Sequence, residues 1–398
     1  MKGWLIAWMG MSLVWGQALI VRHDALAFRP AYHAPLDTIT MARFWQNTAV
    51  HSEAMYNGNG SWGLGYADWP TRPYPSDHPL VRVVARHVLG LLTLIEAGLA
   101  DTTMEQRAEL GLHWLLDRQT AEGAWPVYTT NRGAVSRLSA LPTALASMVL
   151  SRGYRLLGDP RFLAAATQAL EWQTLRPLER SPLARGLLLA SILEHYETVH
   201  EQARVEWAVR EGRIILDNQL PNGSWNDRGP LQTDEHAVVT GALIRLELAL
   251  VPEHPDQRRL RGGVNAAVNF LLEMQLDNGN FAPGPEELSS QKVPTFELVA
   301  LILAQKARQA GGFDMAISGA VRALNNHPSN RSPRDPGEPG GGAAAQVPWR
   351  GTQAGRFLAM TVALVWFTQA QASVQGAEEG GVVPSGSVRS SGILPGGP

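Results

Sequence analysis

Residues 114–125 read WLLDRQTAEGAW, residues 216–225 read LDNQLPNGSW, and residues 270–281 read FLLEMQLDNGNF. Each stretch is an apolar run followed by Gln, a short polar loop, Gly and an aromatic residue. The Gln residues are 100 and then 56 positions apart (219 − 119 and 275 − 219), and a degenerate copy at Trp172-Gln173 divides the longer interval into 54 and 46. A helical unit that recurs about every fifty residues indicates a repeat architecture.

Each part of this repeat has a physical reason. The apolar run ends a helix that packs on a core, and Gly can adopt the positive φ angle at which the chain reverses. The Gln side chain can hydrogen-bond backbone groups that lack a partner at a helix end. The aromatic ring then covers the turn. The repeat therefore predicts helical units that pack side by side.

The pattern along the chain predicts an all-α protein with two kinds of helix. Six segments are almost wholly apolar, at residues 80–99, 138–156, 183–199, 236–250, 296–307 and 357–368. Six others are amphipathic, at residues 36–55, 104–119, 161–173, 202–219, 257–275 and 315–325. Helices that are apolar all round are buried and amphipathic ones face water, so the sequence predicts a single (α/α)6 toroid of six inner and six outer helices.

The two ends of the helical region are predicted to close this ring. The segment at 36–55 has no inner helix before it, and the segment at 357–368 has no outer helix after it. Pairing the N-terminal and C-terminal helices covers both apolar faces. The predicted toroid therefore spans residues 36–372.

The regions outside the toroid have different compositions. Residues 1–18 resemble a secretory signal peptide, with Lys2, an apolar run from Trp4 to Val14, and small residues near Ala18. This predicts a secreted or periplasmic protein. Residues 373–398 are rich in Gly, Ser and Pro and are predicted to be disordered. No remaining apolar run is long enough to predict a transmembrane segment.

Composition limits the classes of function. Lys+Arg number 34 and Asp+Glu 36, for a net charge of −2, which gives no electrostatic case for binding nucleic acid or an anionic membrane. The chain has no Cys, which excludes disulfides and a thiolate zinc site. No cofactor is expected, and we expect a monomer.

The Gln–Gly–aromatic repeat resembles the Gln-Trp repeat of the terpenoid cyclase and protein prenyltransferase toroids, of which squalene cyclases are the best known. The resemblance covers most of residues 36–372 and implies the toroid fold. It does not carry over either activity. The chain lacks the Asp-x-Asp-Asp run with which class II cyclases protonate an alkene, and it lacks the Cys with which prenyltransferases hold zinc.

A second resemblance is confined to residues 112–172. The phrases QTAEGAWP at 119–126, LSALPTAL at 138–145 and LGDPRFL at 157–163 are similar to those of toroids that act on uronic-acid polysaccharides. These are the C-terminal domain of glucuronyl C5-epimerases and the family-ten pectate lyases. The resemblance implies a uronic-acid substrate. The catalytic Tyr motifs of the epimerases are not found, so it transfers no catalytic residue.

Candidate site residues are the polar groups at the starts of the inner helices, where the ring opens. As catalytic acid or base we consider Asp234, Glu235, His236, Glu297 and Tyr128. Successive residues on a helix point about 100° apart, so at most two of residues 234–236 can face the cavity. Acidic residues in a first turn also complement the helix dipole, so a capping role remains open.

Substrate binding is assigned to cationic and aromatic side chains of the same region. Arginines would neutralise substrate carboxylates, and tryptophans would stack on sugar rings or serve only as structural supports of the repeat. The predicted substrate-binding residues are Arg137, Arg185, Arg350, Asp77, His78, Trp125, Trp225 and Trp349. No metal site is predicted: Glu194, His195, Glu197 and His200 have ligand-like spacing, but they lie at a helix C-terminus, where the dipole already favours His.

The sequence therefore favours an exported toroid that binds a carbohydrate in its central cavity and modifies it. The expected substrate contains uronic acid, and the expected activity is that of a lyase, epimerase or hydrolase. Two alternatives remain: a non-catalytic binding ring, and an isoprenoid or lipid enzyme with another acid. The cavity lining discriminates between them, since aromatic, Arg and carboxylate groups favour sugar and an apolar tunnel favours an isoprenoid.

Overall fold

The computed structural model describes residues 36–63, 79–127, 138–175, 181–226, 231–285, 294–308, 311–326 and 352–379. Within these ranges the chain forms twelve α-helices and no strand. The helices are α1 (Thr38–Ala54), α2 (Val81–Glu96), α3 (Thr102–Leu116), α4 (Ala140–Leu157), α5 (Pro160–Leu175), α6 (Pro182–Val199), α7 (Gln202–Asp217), α8 (Thr233–Ala249), α9 (Gln257–Met274), α10 (Phe296–Arg308), α11 (Asp314–Asn326) and α12 (Thr352–Glu379).

The helices form two concentric rings. The inner helices α2, α4, α6, α8, α10 and α12 each pack on the next, and α12 packs on α2. Each of α3, α5, α7, α9 and α11 packs on the inner helix that precedes it. The prediction of a single (α/α)6 toroid is confirmed.

The ring closes where the two terminal helices meet. Helix α1 packs on α12. Phe357 of α12 lies between the two neighbours, with its ring centre 5.8 Å from that of Trp45 in α1 and 5.1 Å from that of His87 in α2. The predicted pairing of the N-terminal and C-terminal helices is therefore confirmed.

Helix α12 extends further than the sequence predicted. It runs to Glu379, whereas we placed the end of the toroid at residue 372 and a disordered tail after it. Residues 369–379 are rich in Ala, Gln and Glu, which favour a helix even without an apolar period. The predicted signal peptide at 1–18 and the rest of the tail, 380–398, lie outside the described residues. No helix in the described ranges is both long and apolar enough to cross a bilayer.

The repeated Gln ties each unit to the next one. Gln119 donates from Nε2 to the carbonyl of Gly123 in its own turn, at 2.9 Å, and to the carbonyl of Ala165 in the following outer helix α5, at 2.8 Å. The other two copies use equivalent acceptors: Gln219 with Gly223 and Gly263, and Gln275 with Gly279 and Ala316. The Gln is thus a bridge between neighbouring outer helices.

The aromatic residue of the repeat is a buried support. The indole N–H of Trp125 donates to the carbonyl of Leu115 at 2.8 Å, and that of Trp225 donates to Ile215 at 2.9 Å. Both Trp side chains are 0% exposed, so neither presents a ring face to a ligand. Their assignment as sugar-stacking residues is therefore wrong, and the structural alternative is correct.

A further copy of the repeat, which the sequence pattern did not reveal, precedes α2. Residues 55–62 read MYNGNGSW, and Trp62 is buried and stacked on His87, with ring centres 5.0 Å apart. Gly60 has a φ angle of 81°, as the repeat glycines do. Tyr56 takes the place of the Gln, six residues before the aromatic as in the other copies, and its hydroxyl accepts from the backbone N–H of Gly60 at 3.3 Å. That replacement hid the copy from the sequence pattern.

We expect Gly223→Ala to lower the free energy of unfolding by about 2–3 kcal/mol. Gly223 has a φ angle of 87°, and a Cβ there would overlap the carbonyl oxygen of Ala266. Gly158→Ala is the matched control, because Gly158 has a φ of 78° but nothing within 4 Å of a Cβ; it should cost only about 1 kcal/mol. Urea unfolding of both variants measures the difference, and equal losses would contradict the close approach of the repeat turn to α9.

Candidate active site in the central cavity

A cavity of about 1260 Å³ occupies the centre of the toroid. All six inner helices contribute to its wall. Its lining changes along the ring axis: charged groups lie at the N-terminal ends of the inner helices and again at their C-terminal ends, with apolar side chains between. The cavity therefore has two polar rims and an apolar belt.

The N-terminal rim combines two cations with two carboxylates. Arg82 and Arg86 of α2 line it, as do Asp234 and Glu235 of α8, which stands across the ring. The guanidinium carbon of Arg86 lies 4.7 Å from the ring centre of Phe296 in α10. Burial lowers the pKa of Arg86 to about 10, with Arg82 acting in the same direction and Asp234 opposing it. Arg86 thus remains a cation at neutral pH.

Glu235 also stabilises the start of α8. Its Oε2 accepts from the backbone N–H of Gln232 at 3.3 Å, and the Gln232 side chain accepts in return from the N–H of Glu235. This reciprocal arrangement is a capping box. The capping alternative therefore holds for Glu235, and Asp234 is left as the acid/base candidate on this helix.

His236 does not face the cavity. Its side chain is fully buried between Trp225, at 4.8 Å between ring centres, and Phe270 of α9, at 4.6 Å. Its Nε2 lies 3.0 Å from the carbonyl oxygen of Ala267. The role of His236 as a base is therefore wrong: one helical position past Glu235 turns the side chain about 100° away, and there it packs on the repeat Trp.

Two more predicted residues also point into the wall. Arg185 of α6 forms an ion pair with Glu211 of α7 at 2.7 Å and does not line the cavity. The fully buried Glu297 accepts from the backbone N–H of Thr295 at 2.9 Å, while its neighbour Phe296 lines the cavity. The structure thus does not support either predicted role, because Arg185 is paired with the outer helix α7 and Glu297 bonds to the backbone at the start of its own helix.

The remaining predicted residues lie outside the described ranges, and their roles stay predictions. They are Asp77, His78, Tyr128, Arg137, Trp349 and Arg350. Sequence reasoning missed Arg86, which lines the rim beside Arg82. The signal was available: the apolar run VRVVARHVLG contains two arginines at positions i and i+4, which share one helical face.

The C-terminal rim is an ion-pair network around Glu194. Arg152 binds the two oxygens of Glu194 with Nε and Nη2, each at 2.9 Å. Arg245 of α8 contacts Glu194 at 2.9 Å and Glu197 at 2.8 Å, and Arg155 joins Glu194 to Glu96 of α2. Burial alone would raise the pKa of Glu194, but Arg152 and Arg245 lower it to about 2. The network links four of the six inner helices.

The same contacts bear on the ligand-like spacing of residues 194–200. Glu194 faces the arginines, whereas His195 turns to the outer helix α5, with its Nε2 3.0 Å from Thr167 Oγ1. Their spacing along the helix therefore does not bring these two groups together. In the part of the chain that the structure describes, no group of three or more His, Asp or Glu side chains is placed to hold a metal ion.

We expect His236→Gln to reduce the pH dependence of stability between about pH 6.5 and 4. Burial lowers the pKa of His236 to about 4 from 6.5, so its contribution is complete above pH 6.5 and is lost as the pH falls towards 4. One such group gives a slope of up to about 1.4 kcal/mol per pH unit. Urea unfolding at several pH values compares variant and wild type, and identical slopes would contradict this prediction.

The fold is shared with several enzymes of known structure. A family 88 glycosyl hydrolase from Bacteroides vulgatus has a TM-score of 0.60 and 10% identity, over 83% of this chain and 100% of that one. Cellobiose 2-epimerase from Spirochaeta thermophila has a TM-score of 0.58 and 13% identity, over 84% of this chain and 99% of that one. Unsaturated glucuronyl hydrolase from Streptococcus agalactiae has a TM-score of 0.57 and 12% identity, over 85% of this chain and 94% of that one.

These similarities establish the class of fold, an α/α toroid. At such low identity they assign no activity. No protein-family model matches the sequence, and no curated protein matches it. The resemblance of the repeat to terpenoid cyclases stays a prediction.

Proposed function

We propose that this protein is an exported enzyme that modifies a carbohydrate containing uronic acid, as a lyase, epimerase or hydrolase. The observation that carries the proposal is the N-terminal rim, where Arg82 and Arg86 line the cavity across the ring from Asp234. Carboxylate-bearing sugars need a cation to receive the carboxylate and an acid/base group beside it. The names of the structurally similar enzymes, sugar epimerases and glycosyl hydrolases, support the same substrate class.

The chemistry follows from the charges at this rim. A guanidinium that pairs with the uronate carboxylate withdraws electrons and acidifies the hydrogen on the adjacent carbon, C5. Asp234 as general base removes that proton. A proton delivered from water to the opposite face gives the epimer, and Asp234 then releases its own proton to solvent. If the C4–O4 bond breaks instead, Asp234 passes its proton to O4, which leaves as a hydroxyl, and a C4=C5 double bond remains.

Hydrolysis by two carboxylates fits the rim less well. Such a reaction needs an acid and a second, independent carboxylate flanking the bond. Among the described residues, the second carboxylate that lines this rim is Glu235, which is engaged in the capping box of α8. The geometry therefore favours reactions with a single acid/base group, which we assign to Asp234.

The test is incubation with oligogalacturonates, oligoglucuronates and their unsaturated forms. Ultraviolet absorbance detects a lyase, NMR of the C5 proton in deuterated water detects an epimerase, and reducing ends detect a hydrolase. Asp234→Asn should lower kcat about 10²–10⁴-fold. Glu235→Gln is the control: it keeps an acceptor for the Gln232 N–H and should retain most activity.

Two results would contradict the proposal. The first is full activity of Asp234→Asn on a turned-over oligouronate, which would exclude Asp234 as acid or base. The second is failure of every oligouronate to bind wild-type protein in calorimetry, which would favour the non-catalytic ring.

We also propose that residues 1–18 are removed on export and that the mature protein is a monomer. N-terminal sequencing of protein secreted by a bacterial host measures the cleavage point. Light scattering of the purified mature protein measures its mass. An intact Met1 or a stable dimer would each contradict its part of this proposal.

A further inference from the structure

The apolar belt is the part of the cavity that the proposed chemistry does not use. Each inner helix contributes to it a residue without a polar side-chain group: Leu89, Leu145, Leu187, Gly241, Val299 and Val362. It begins one helical turn below Arg86 and ends before Arg152 and Arg245 at the opposite rim. A substrate confined to the N-terminal rim would leave this belt empty.

A sugar ring does not fit this part of the cavity. Each buried hydroxyl that lacks a hydrogen-bond partner costs free energy, and the hydroxyls of a uronate project around the edge of its ring, towards the wall of a belt that encircles it. The six belt residues named above offer no side-chain donor or acceptor. Apolar cavities of this kind favour apolar ligands. The belt therefore favours a hydrocarbon group as its ligand.

We propose that the substrate is an amphiphile: its uronic-acid head binds at Arg82, Arg86 and Asp234, and its aliphatic chain fills the belt. This inference rests on the proposed function and narrows its substrate class to uronic acids that carry an alkyl, acyl or polyisoprenyl group. On α12 the cavity wall runs from Gly355 to Ala370, which is roughly 22 Å along the helix axis. The charged C-terminal rim limits the length of the chain.

Calorimetry with n-alkyl glucuronides of four, eight and twelve carbons tests the proposal, below their critical micelle concentrations. Burying each methylene should tighten binding about fourfold, so that the eight-carbon compound binds at least tenfold more tightly than the four-carbon one. Free glucuronate and neutral n-alkyl glucosides of the same lengths complete the series.

The variant Gly241→Leu tests whether the alkyl chain binds in the belt or on the outer surface of the protein. A Cβ at Gly241 meets only Leu303, at 3.6 Å, so the larger side chain projects into the cavity without a backbone clash. Gly262→Leu is the matched control, on the exposed face of the outer helix α9, where a Cβ meets nothing within 4 Å. Both changes raise helix propensity, and thermal melts verify that both variants fold.

We expect Gly241→Leu to abolish the increase in affinity with alkyl chain length and to leave the affinity for free glucuronate unchanged. Gly262→Leu should bind every compound as the wild type does. Affinity for glucuronides that is independent of chain length would overturn this inference and leave the proposed function standing. Equal affinities for glucosides and glucuronides of the same chain length would support the hydrocarbon belt but contradict an acidic head. Absence of binding by every alkyl compound, or an undiminished gain in Gly241→Leu, would also overturn it.

Discussion

Replacing Trp225 with Ala should lower the free energy of unfolding by about 3–5 kcal/mol. The side chain is 0% exposed, its N–H donates to the carbonyl of Ile215 at 2.9 Å, and its ring packs on His236. The truncation therefore opens a cavity and leaves a buried carbonyl without its partner. Denaturant unfolding followed by circular dichroism measures the loss.

Trp225→Phe is the control for this prediction. It keeps an aromatic ring and removes the indole N–H, so its cost should be smaller, about 1–3 kcal/mol for the unpaired buried carbonyl. The third copy of the repeat already has Phe281 at this place, fully buried. A melting temperature of Trp225→Ala equal to that of wild type would refute the structural role of the residue.

Glu194→Gln should destabilise the fold by a comparable amount, about 3–5 kcal/mol, because it leaves buried guanidinium groups without a counter-charge. Glu194 is 0% exposed and contacts Arg152, Arg155 and Arg245. Glu96→Gln tests the same network at its edge, where the carboxylate is 44% exposed, and should cost no more than about 1 kcal/mol.

The same residue should make wild-type stability sensitive to acid. The folded pKa of Glu194, about 2, lies below its ordinary value of 4.5, so its contribution is complete above about pH 4.5 and disappears as the pH falls towards 2. Unfolding at pH 5 and pH 3 measures the loss, which Glu194→Gln should diminish. Equal stability of Glu194→Gln and Glu96→Gln at neutral pH would contradict the central place of Glu194.

The sequence predicted the scaffold well because the scaffold is encoded locally. Gln119 and Gly123 belong to a short pattern whose meaning does not depend on the rest of the chain, and its recurrence indicates the repeat. The further copy was missed because Tyr56 replaces the Gln. The end of α12 was misplaced because its last turns carry helix-forming residues without an apolar face.

The site was harder to predict because most of the inner helices, unlike α2, carry no polar stripe along one face. The sequence of such a helix has no polar/apolar periodicity from which the face towards the cavity could be predicted. On α6, Leu187 lines the cavity, whereas the next residue, Leu188, belongs to the core between helices. For the same reason the sequence could not separate Glu235 from His236, which differ by one position and face different surroundings.

The Gln bridges have a consequence for how this protein can change. Gln119, Gln219 and Gln275 fix the spacing of neighbouring outer helices through hydrogen bonds to backbone carbonyls. Every amino acid supplies such a carbonyl, whatever its side chain. These contacts of the outer ring do not involve the cavity wall. Substitutions in the apolar belt can therefore alter what the ring accepts while the spacing of the outer helices is preserved, whereas at the C-terminal rim Arg152 and Arg245 both line the cavity and stabilise the fold.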